Sequence, residues 1–168
     1  RSHSIIQTSD DGFIIADIYG IFKFDSDGNF EWHSCHDPLL NPNSEEQWIY
    51  QVKPTNDGGY IAAGWVDLED YTNEDPIEVV VLLYKVNQVG EQQWYKYFGV
   101  NSEASDGEGS QAYSISITND NGYIISGTYS NYDNGYLIKT NSEGNITSTF
   151  EIPLPNPNRK LEKTIDIL

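Results

Sequence analysis

The chain contains one short stretch three times: Thr8-Ser9-Asp10-Asp11-Gly12-Phe13-Ile14, Thr55-Asn56-Asp57-Gly58-Gly59-Tyr60-Ile61 and Thr118-Asn119-Asp120-Asn121-Gly122-Tyr123-Ile124. The shared pattern is Thr-x-Asp-x-Gly-aromatic-Ile, and apolar or alternating residues flank every copy. Asp and Asn tolerate a left-handed backbone and bond their own main chain, while glycine supplies a positive φ. Each copy therefore predicts a tight turn between two antiparallel strands.

A second turn follows each copy. Its glycine is Gly28, Gly90 or Gly144, and a lysine stands five residues before it in all three repeats. Two kinds of turn recurring in a fixed order indicate an internal repeat. Each repeat is then four antiparallel strands, about the size of one propeller blade.

We therefore predict an all-β fold of three propeller-like blades, at about residues 1–36, 48–98 and 111–152, within a unit spanning 1–152. Residues 153–168 are predicted to be a stiff proline-rich linker and a short terminal segment. Three blades are too few to close a ring, which typically takes four or more. Either the chain is a piece of a longer propeller, which we favour, or blades from another chain complete the ring.

Composition narrows the classes of partner. The net charge of −17 would repel a phosphate backbone, which argues against nucleic acid. No apolar run is long enough to span a membrane. Cys35 is the only cysteine, so an internal disulfide is impossible. The chain begins at Arg1 and has no Met, so we expect a processed or cut N-terminus.

The order of the strands predicts two unlike ends of the sheets. The tight turns of every blade lie at one end, and the variable loops 37–47, 67–78, 99–110 and 130–135 lie at the other. Binding normally uses variable loops on a rigid scaffold. The candidate ligand-binding residues are thus the acids and tyrosines of two loops: Asp67, Asp70, Tyr71, Glu74, Asp75, Tyr132 and Asp133.

Clustered carboxylates are also the ligands that hard cations prefer. The candidate calcium ligands are Asp67, Glu69, Asp70 and Asp75, and the alternative is a solvated acidic loop without metal. His33, Cys35 and His36 are chemically suited to zinc. Strand alternation, however, points His36 away from the other two side chains, which favours a structural role over a metal site.

Aromatic residues at or near the variable face offer a second means of binding. Trp48 and Trp65 are predicted to lie near this face, where rings stack on sugars or anchor a protein partner. The alternative for both is packing in the blade core, which we favour. No pair of acids is singled out for catalysis, so no catalytic residue is predicted.

The repeat resembles the blade of a bacterial secreted β-propeller family, whose blades read roughly T-x-D-G-G-Y-I-x-A-G … L-x-K-x-N-x-x-G-x-x-x-W. The second repeat carries this resemblance through Thr55, residues 57–61, Ala63, Gly64, Lys85, Asn87, Gly90 and Trp94. The first turn is also similar to the Asp-box of sialidases, which in that family is a structural turn. Sialidases use an arginine triad, and the two arginines of this chain, Arg1 and Arg159, lie outside the blades.

The tail resembles the start of the C-terminal sorting domain of proteins exported by the type IX system of Bacteroidota. The residues that carry this likeness are Pro155-Asn156-Pro157 and Thr164-Ile165-Asp166-Ile167-Leu168. The resemblance implies export across the outer membrane and an extracellular or cell-surface location.

Together these patterns predict a non-catalytic secreted or cell-surface module that binds or adheres through its acidic loop face. The expected ligand is a protein or a carbohydrate, and the only expected cofactor is calcium in the acidic loop. Two alternatives stay open: part of an extracellular glycan-active hydrolase, or a structural subunit of an extracellular assembly.

Overall fold

The computed structural model describes residues 2–36, 47–68, 78–99, 109–129 and 134–152, where every regular element is a β-strand. The first sheet contains β1 (Ser2–Gln7), β2 (Phe13–Asp17), β3 (Gly20–Phe24) and β4 (Phe30–Ser34). The second contains β5 (Gln47–Pro54), β6 (Tyr60–Leu68), β7 (Glu78–Val86) and β8 (Gln92–Phe98). The third contains β9 (Gln111–Ile117), β10 (Tyr123–Tyr129), β11 (Asn134–Thr140) and β12 (Ile146–Ile152).

Each sheet is an antiparallel meander in which strands adjacent in sequence are also neighbours in space. The predicted all-β class, with three blade-like repeats that do not close into a ring, is confirmed. The predicted linker and terminal segment, 153–168, lie outside the described residues. In the described ranges, no helix has the length and apolar character needed to cross a membrane.

The second sheet is covered on both faces. One face packs against the first sheet in a cluster that includes Val80 and Leu82, and the other packs against the third sheet through Val81 and Leu83. These four residues of β7 are at most 3% exposed. The continuous apolar run at 79–83 predicted a strand buried on both faces, and this prediction is confirmed.

The first turn of each blade has its left-handed residue one position earlier than the shared glycine. The residues with positive φ are Asp11 (64°), Gly58 (81°) and Asn121 (60°). Our expectation that the shared glycine supplies the positive φ is therefore wrong for this turn. In the second turn, by contrast, the recurring glycine is the left-handed residue: Gly28, Gly90 and Gly144 have φ values of 83°, 82° and 77°.

The shared glycine of the first turn is required by close approach instead. A Cβ on Gly12 would lie 2.4 Å from the carbonyl oxygen of Phe24. The same distance is 2.3 Å between Gly59 and Val86, and 2.1 Å between Gly122 and Thr140. The backbone of the third strand occupies the space of a side chain, so only glycine fits here without a shift of the backbone.

Substitutions at two neighbouring positions separate the effect of a positive φ from that of close backbone approach. Gly12→Ala is expected to lower the free energy of unfolding by about 1–3 kcal/mol, because the added methyl group overlaps a backbone oxygen. Asp11→Gly is expected to be neutral or slightly stabilising, because glycine relieves the left-handed strain. Urea denaturation of both variants measures the difference, and a loss from Asp11→Gly equal to that from Gly12→Ala would contradict our account.

Candidate functional site

The ligand-binding and calcium residues predicted in the loops are not tested by this structure. Glu69, Asp70, Tyr71, Glu74, Asp75, Tyr132 and Asp133 lie outside the described residues. The backbone of Asp67 is described near the end of β6, where it pairs with Val79 of β7. Within the described ranges, no three His, Cys, Asp or Glu side chains are grouped so as to hold a metal ion.

The first strand of each blade has a β-bulge toward the end from which the variable loops leave. The extra residue, which has no partner on the second strand, is His3 in β1, Tyr50 in β5 and Tyr113 in β9. A bulge re-aims a side chain relative to a regular strand, and bulges are frequent beside functional sites. The bulges therefore place one ring from each blade at an equivalent point of its first strand.

These three rings form a continuous row, which we call the bulge row. The ring centroids of His3 and Tyr50 are 4.7 Å apart, and those of Tyr50 and Tyr113 are 5.0 Å apart. The row crosses all three sheets because β5 packs against both β1 and β9. His3 is exposed, and Tyr50 and Tyr113 are half-buried, so the row presents ring surface to solvent.

Two tryptophans extend the bulge row on the second sheet. The rings of Trp48 and Trp65 are stacked, with centroids 5.9 Å apart and planes inclined by 11°. Trp65 donates a hydrogen bond from Nε1 to the Tyr50 hydroxyl at 3.3 Å. Trp65 is 8% exposed, which confirms the predicted core position, whereas Trp48 is half-buried and also lies 5.7 Å from the His3 ring.

Polar groups lie beside these rings. The Tyr113 hydroxyl donates to the side-chain oxygen of Gln111 at 2.9 Å. The buried side-chain oxygen of Gln47, which precedes Trp48, has no hydrogen-bond partner among the described residues. A buried oxygen without a donor destabilises the fold, so this end of β5 carries an unmet hydrogen-bonding requirement.

Sequence reasoning missed the bulge row, although the sequence contains a signal for it. His3, Tyr50 and Tyr113 each lie nine residues before the shared glycine of the first turn. An alignment of the repeats on that glycine places a ring at the same position three times. Nothing local to these residues, however, distinguishes a bulged position from a regular one.

The histidines and the cysteine near the end of β4 do not form one site. Nε2 of His33 donates to the carbonyl oxygen of Tyr19 at 2.7 Å, and His33 is exposed. His36 is 2% exposed, and its Nε2 is hydrogen-bonded to the Tyr97 hydroxyl of the second sheet. Cys35 is exposed. His36 thus helps to join the first two sheets.

At the opposite end, each blade holds an ion pair between the Asp of its first turn and the Lys before its second turn. The Nζ–Oδ2 distances are 3.0 Å for Lys23–Asp10, 2.9 Å for Lys85–Asp57 and 2.5 Å for Lys139–Asp120. In every blade the Asp also accepts hydrogen bonds from the turn threonine and from the shared glycine N–H. These pairs tie the two hairpins of a blade together.

The hydrogen bonds lower the pKa values of these carboxyl groups. Thr8 and Lys23 lower the pKa of Asp10 to about 2. Partial burial raises the pKa of Asp57, but hydrogen bonds from Thr55 and Lys85 outweigh burial and lower it to about 2. In the third blade, Lys139 and Thr118 hold the pKa of Asp120 well below its usual range.

No family model and no curated protein matches this chain.

Lys85 and Lys139 form equivalent ion pairs but differ in burial, so removing the aspartate of each pair tests how much lysine burial matters. Asp57→Ala leaves Lys85, whose side chain is 3% exposed, without its carboxylate, whereas Asp120→Ala leaves Lys139, which is 34% exposed and reaches water. We expect a loss of about 3 kcal/mol or more for Asp57→Ala and about 1 kcal/mol for Asp120→Ala. Both variants lose equivalent threonine and glycine hydrogen bonds, so equal losses in urea denaturation would contradict a role for lysine burial.

The lowered pKa values also predict loss of stability in acid. A carboxyl group whose pKa falls from 3.8 to about 2 on folding stabilises the protein above pH 4, and this contribution disappears as the pH falls toward 2. Unfolding free energies between pH 6 and pH 2.5 should therefore fall less steeply in Asp57→Asn than in the unchanged protein. The same slope in both proteins would exclude Asp57 as a contributor.

Proposed function

We propose that this protein is a non-catalytic binding module that holds a carbohydrate on the bulge row and the adjoining Trp48. The observation that carries the proposal is the repeated bulge, which brings His3, Tyr50 and Tyr113 together from three separate sheets. A purely structural aromatic residue needs no bulge, because regular alternation already directs side chains into the core.

The chemistry of the row suits a sugar. Tyr and Trp rings present an apolar face together with a polar tip, and a pyranose ring presents an apolar C–H face together with hydroxyl groups. The Tyr113 hydroxyl and the side chain of Gln111, both on half-buried residues at one end of the row, supply polar partners for sugar hydroxyls. The net charge of −17 disfavours anionic glycans, so the proposed ligand is a neutral oligosaccharide.

The acidic loop residues remain predictions that complete this proposal. Five of them belong to the loop that leaves β6 shortly after Trp65, so the base of that loop lies beside the stacked tryptophan pair, whereas Tyr132 and Asp133 lie between β10 and β11 in the chain. We propose that these residues contribute to the same binding face, with or without calcium: Asp67, Asp70, Tyr71, Glu74, Asp75, Tyr132 and Asp133. An extracellular location fits this function and is supported by the resemblance of the tail to a sorting domain.

The test is binding of neutral oligosaccharides, measured by tryptophan fluorescence and calorimetry. Tyr50→Ala removes the central ring of the row and should weaken binding about tenfold, which corresponds to about 1.4 kcal/mol. Tyr19→Ala is the matched control, because Tyr19 is 66% exposed and is not in contact with the row.

Equal affinity for both variants would overturn the bulge row as the binding site. Release of shorter oligosaccharides during the same incubation would overturn the non-catalytic assignment and favour the hydrolase alternative. Loss of folding in Tyr50→Ala would show in its circular dichroism. In that case the affinity of Tyr113→Phe for the same oligosaccharides is measured instead. This variant removes only the hydroxyl group, and it should bind more weakly than Tyr19→Ala.

A further inference from the structure

The sheets of this protein pack front to back in a fixed direction. We call the front face of a sheet the one that includes Ile14, Ala16 and Ile21 in the first sheet, and Ile61, Ala63 and Leu83 in the second. Because side chains alternate along a strand, the neighbouring residues point to the opposite face, which we call the back face and which includes Tyr60, Ala62 and Leu82 in the second sheet. The first sheet's front packs on the second sheet's back, and the second sheet's front packs on the third sheet's back.

A tryptophan from the front face enters the same socket at both interfaces. Trp32 lies 6.1 Å from the Tyr60 ring of the next sheet, and a Cβ on Gly90 would lie 2.5 Å from Cε3 of Trp32. Trp94 lies 6.0 Å from the Tyr123 ring. A Cβ on Gly144 would lie 2.8 Å from Cζ3 of Trp94. An aromatic residue after the first turn and the glycine of the second turn therefore form an indole socket.

The first sheet has the same socket residues, Phe13 and Gly28, and no other part of the described structure covers them. Apart from Gly28 and its two neighbours in the chain, no atom of the described residues lies within 4 Å of a Cβ placed on Gly28. Gly28 has the same left-handed conformation as Gly90, with φ values of 83° and 82°. The backbone geometry of an occupied socket is thus already present.

The back face around this socket has the composition of a buried surface. Its four central residues are half-buried Phe13, Ile15, Phe22 and Phe24. The equivalent residues of the second sheet are 0–7% exposed: Tyr60, Ala62, Tyr84 and Val86. Those of the third sheet are 0–4% exposed: Tyr123, Ile125, Ile138 and Thr140. Ile5 and Phe30 extend the apolar face of the first sheet and are 64% and 58% exposed. A contiguous exposed apolar face of this kind marks an interaction site.

We propose that the back face of the first sheet binds a further four-stranded sheet of this same repeat, which inserts a tryptophan between Phe13 and Gly28. The added sheet would continue the two interfaces already present, between the first and second sheets and between the second and third, which share one packing direction and one socket. The occupant must carry its tryptophan at the position equivalent to Trp32 and Trp94.

A second copy of this chain does not meet that requirement. Its Trp32 and Trp94 are already packed against its own second and third sheets. Its third sheet, whose front face is the uncovered one, has Ser148 at the tryptophan position. Trp48 and Trp65 stack on each other toward the opposite end of the second sheet.

The test joins another copy of residues 47–110 directly ahead of Arg1 in the full chain, so that the added sheet precedes the first sheet. The matched control is the same fusion with Trp94→Ser in the added copy, which reproduces the serine found at position 148. The fusion is expected to melt at least about 4 °C above this control. The added tryptophan should also be protected from acrylamide quenching.

A blocking variant makes the test specific for the socket. Gly28→Asn keeps a residue that tolerates positive φ, but its side chain fills the socket. In the unmodified chain it should change the melting temperature little, because the site is uncovered. In the fusion it should remove the protection of the added tryptophan.

Two results would overturn the proposal. The first is equal melting of the fusion and its Trp94→Ser control with a freely quenched added tryptophan. The second is a dimer of the unmodified chain in sedimentation that Phe22→Ser dissociates, because the occupant of the face would then be a second copy. Neither result depends on carbohydrate binding by the bulge row.

Discussion

The structure depends on coverage of the second sheet from both sides. A sheet whose strands are apolar on both faces cannot exist alone in water, because each uncovered face exposes large hydrophobic side chains. Val81 and Leu82, adjacent in sequence, point to different sheets and are both fully buried. Three sheets are therefore the smallest stack that gives this strand an interior on each side.

The stacking order also explains why the turns are so uniform. Each turn lies where one sheet meets the next, and Asn56 of the second sheet donates a hydrogen bond to the side chain of Asn121 on the third at 2.6 Å. The ion pair between Asp57 and Lys85 fixes the relative position of the two hairpins within a sheet. A first turn of different shape would displace both the aromatic residue of the indole socket and the aspartate of the ion pair. Several contacts therefore constrain the sequence of this one turn.

Much of the fold was predictable because its signals are local. Turn residues, alternation and the apolar run of β7 each report on a few neighbouring positions. The Asp–Lys pairs were not found, because Asp57 and Lys85 are 28 residues apart while Asp120 and Lys139 are 19 apart. The variable loop lies between them, so no fixed spacing identifies the pair.

Glycine was misread at Gly12 for a related reason. The sequence shows that a glycine stands at this position. It does not show whether glycine is required by a positive φ or by the close approach of a neighbouring strand. The neighbour at Gly12 is the backbone of β3, which is positioned only when the hairpin has formed. The bulge row was missed because a bulge is defined by pairing with the next strand. In each case the missing information is a contact between strands, which the order of residues does not record.

Front-to-back packing gives the stack two unlike ends. At the front end, the third sheet has Ser126 and Ser148 where the second has Ala63 and Trp94, so serine hydroxyls replace the groups that would enter a following sheet. At the other end, the first sheet has three phenylalanines and an isoleucine where the covered sheets have hydroxyl-bearing side chains at four of eight positions. The front face of the third sheet is not polar throughout, because Phe150 and Ile152 are 40% and 45% exposed there. The difference between the two ends is therefore specific to the socket contact: the third sheet lacks the tryptophan that would enter a socket, whereas the first sheet keeps the aromatic residue and the glycine that form one.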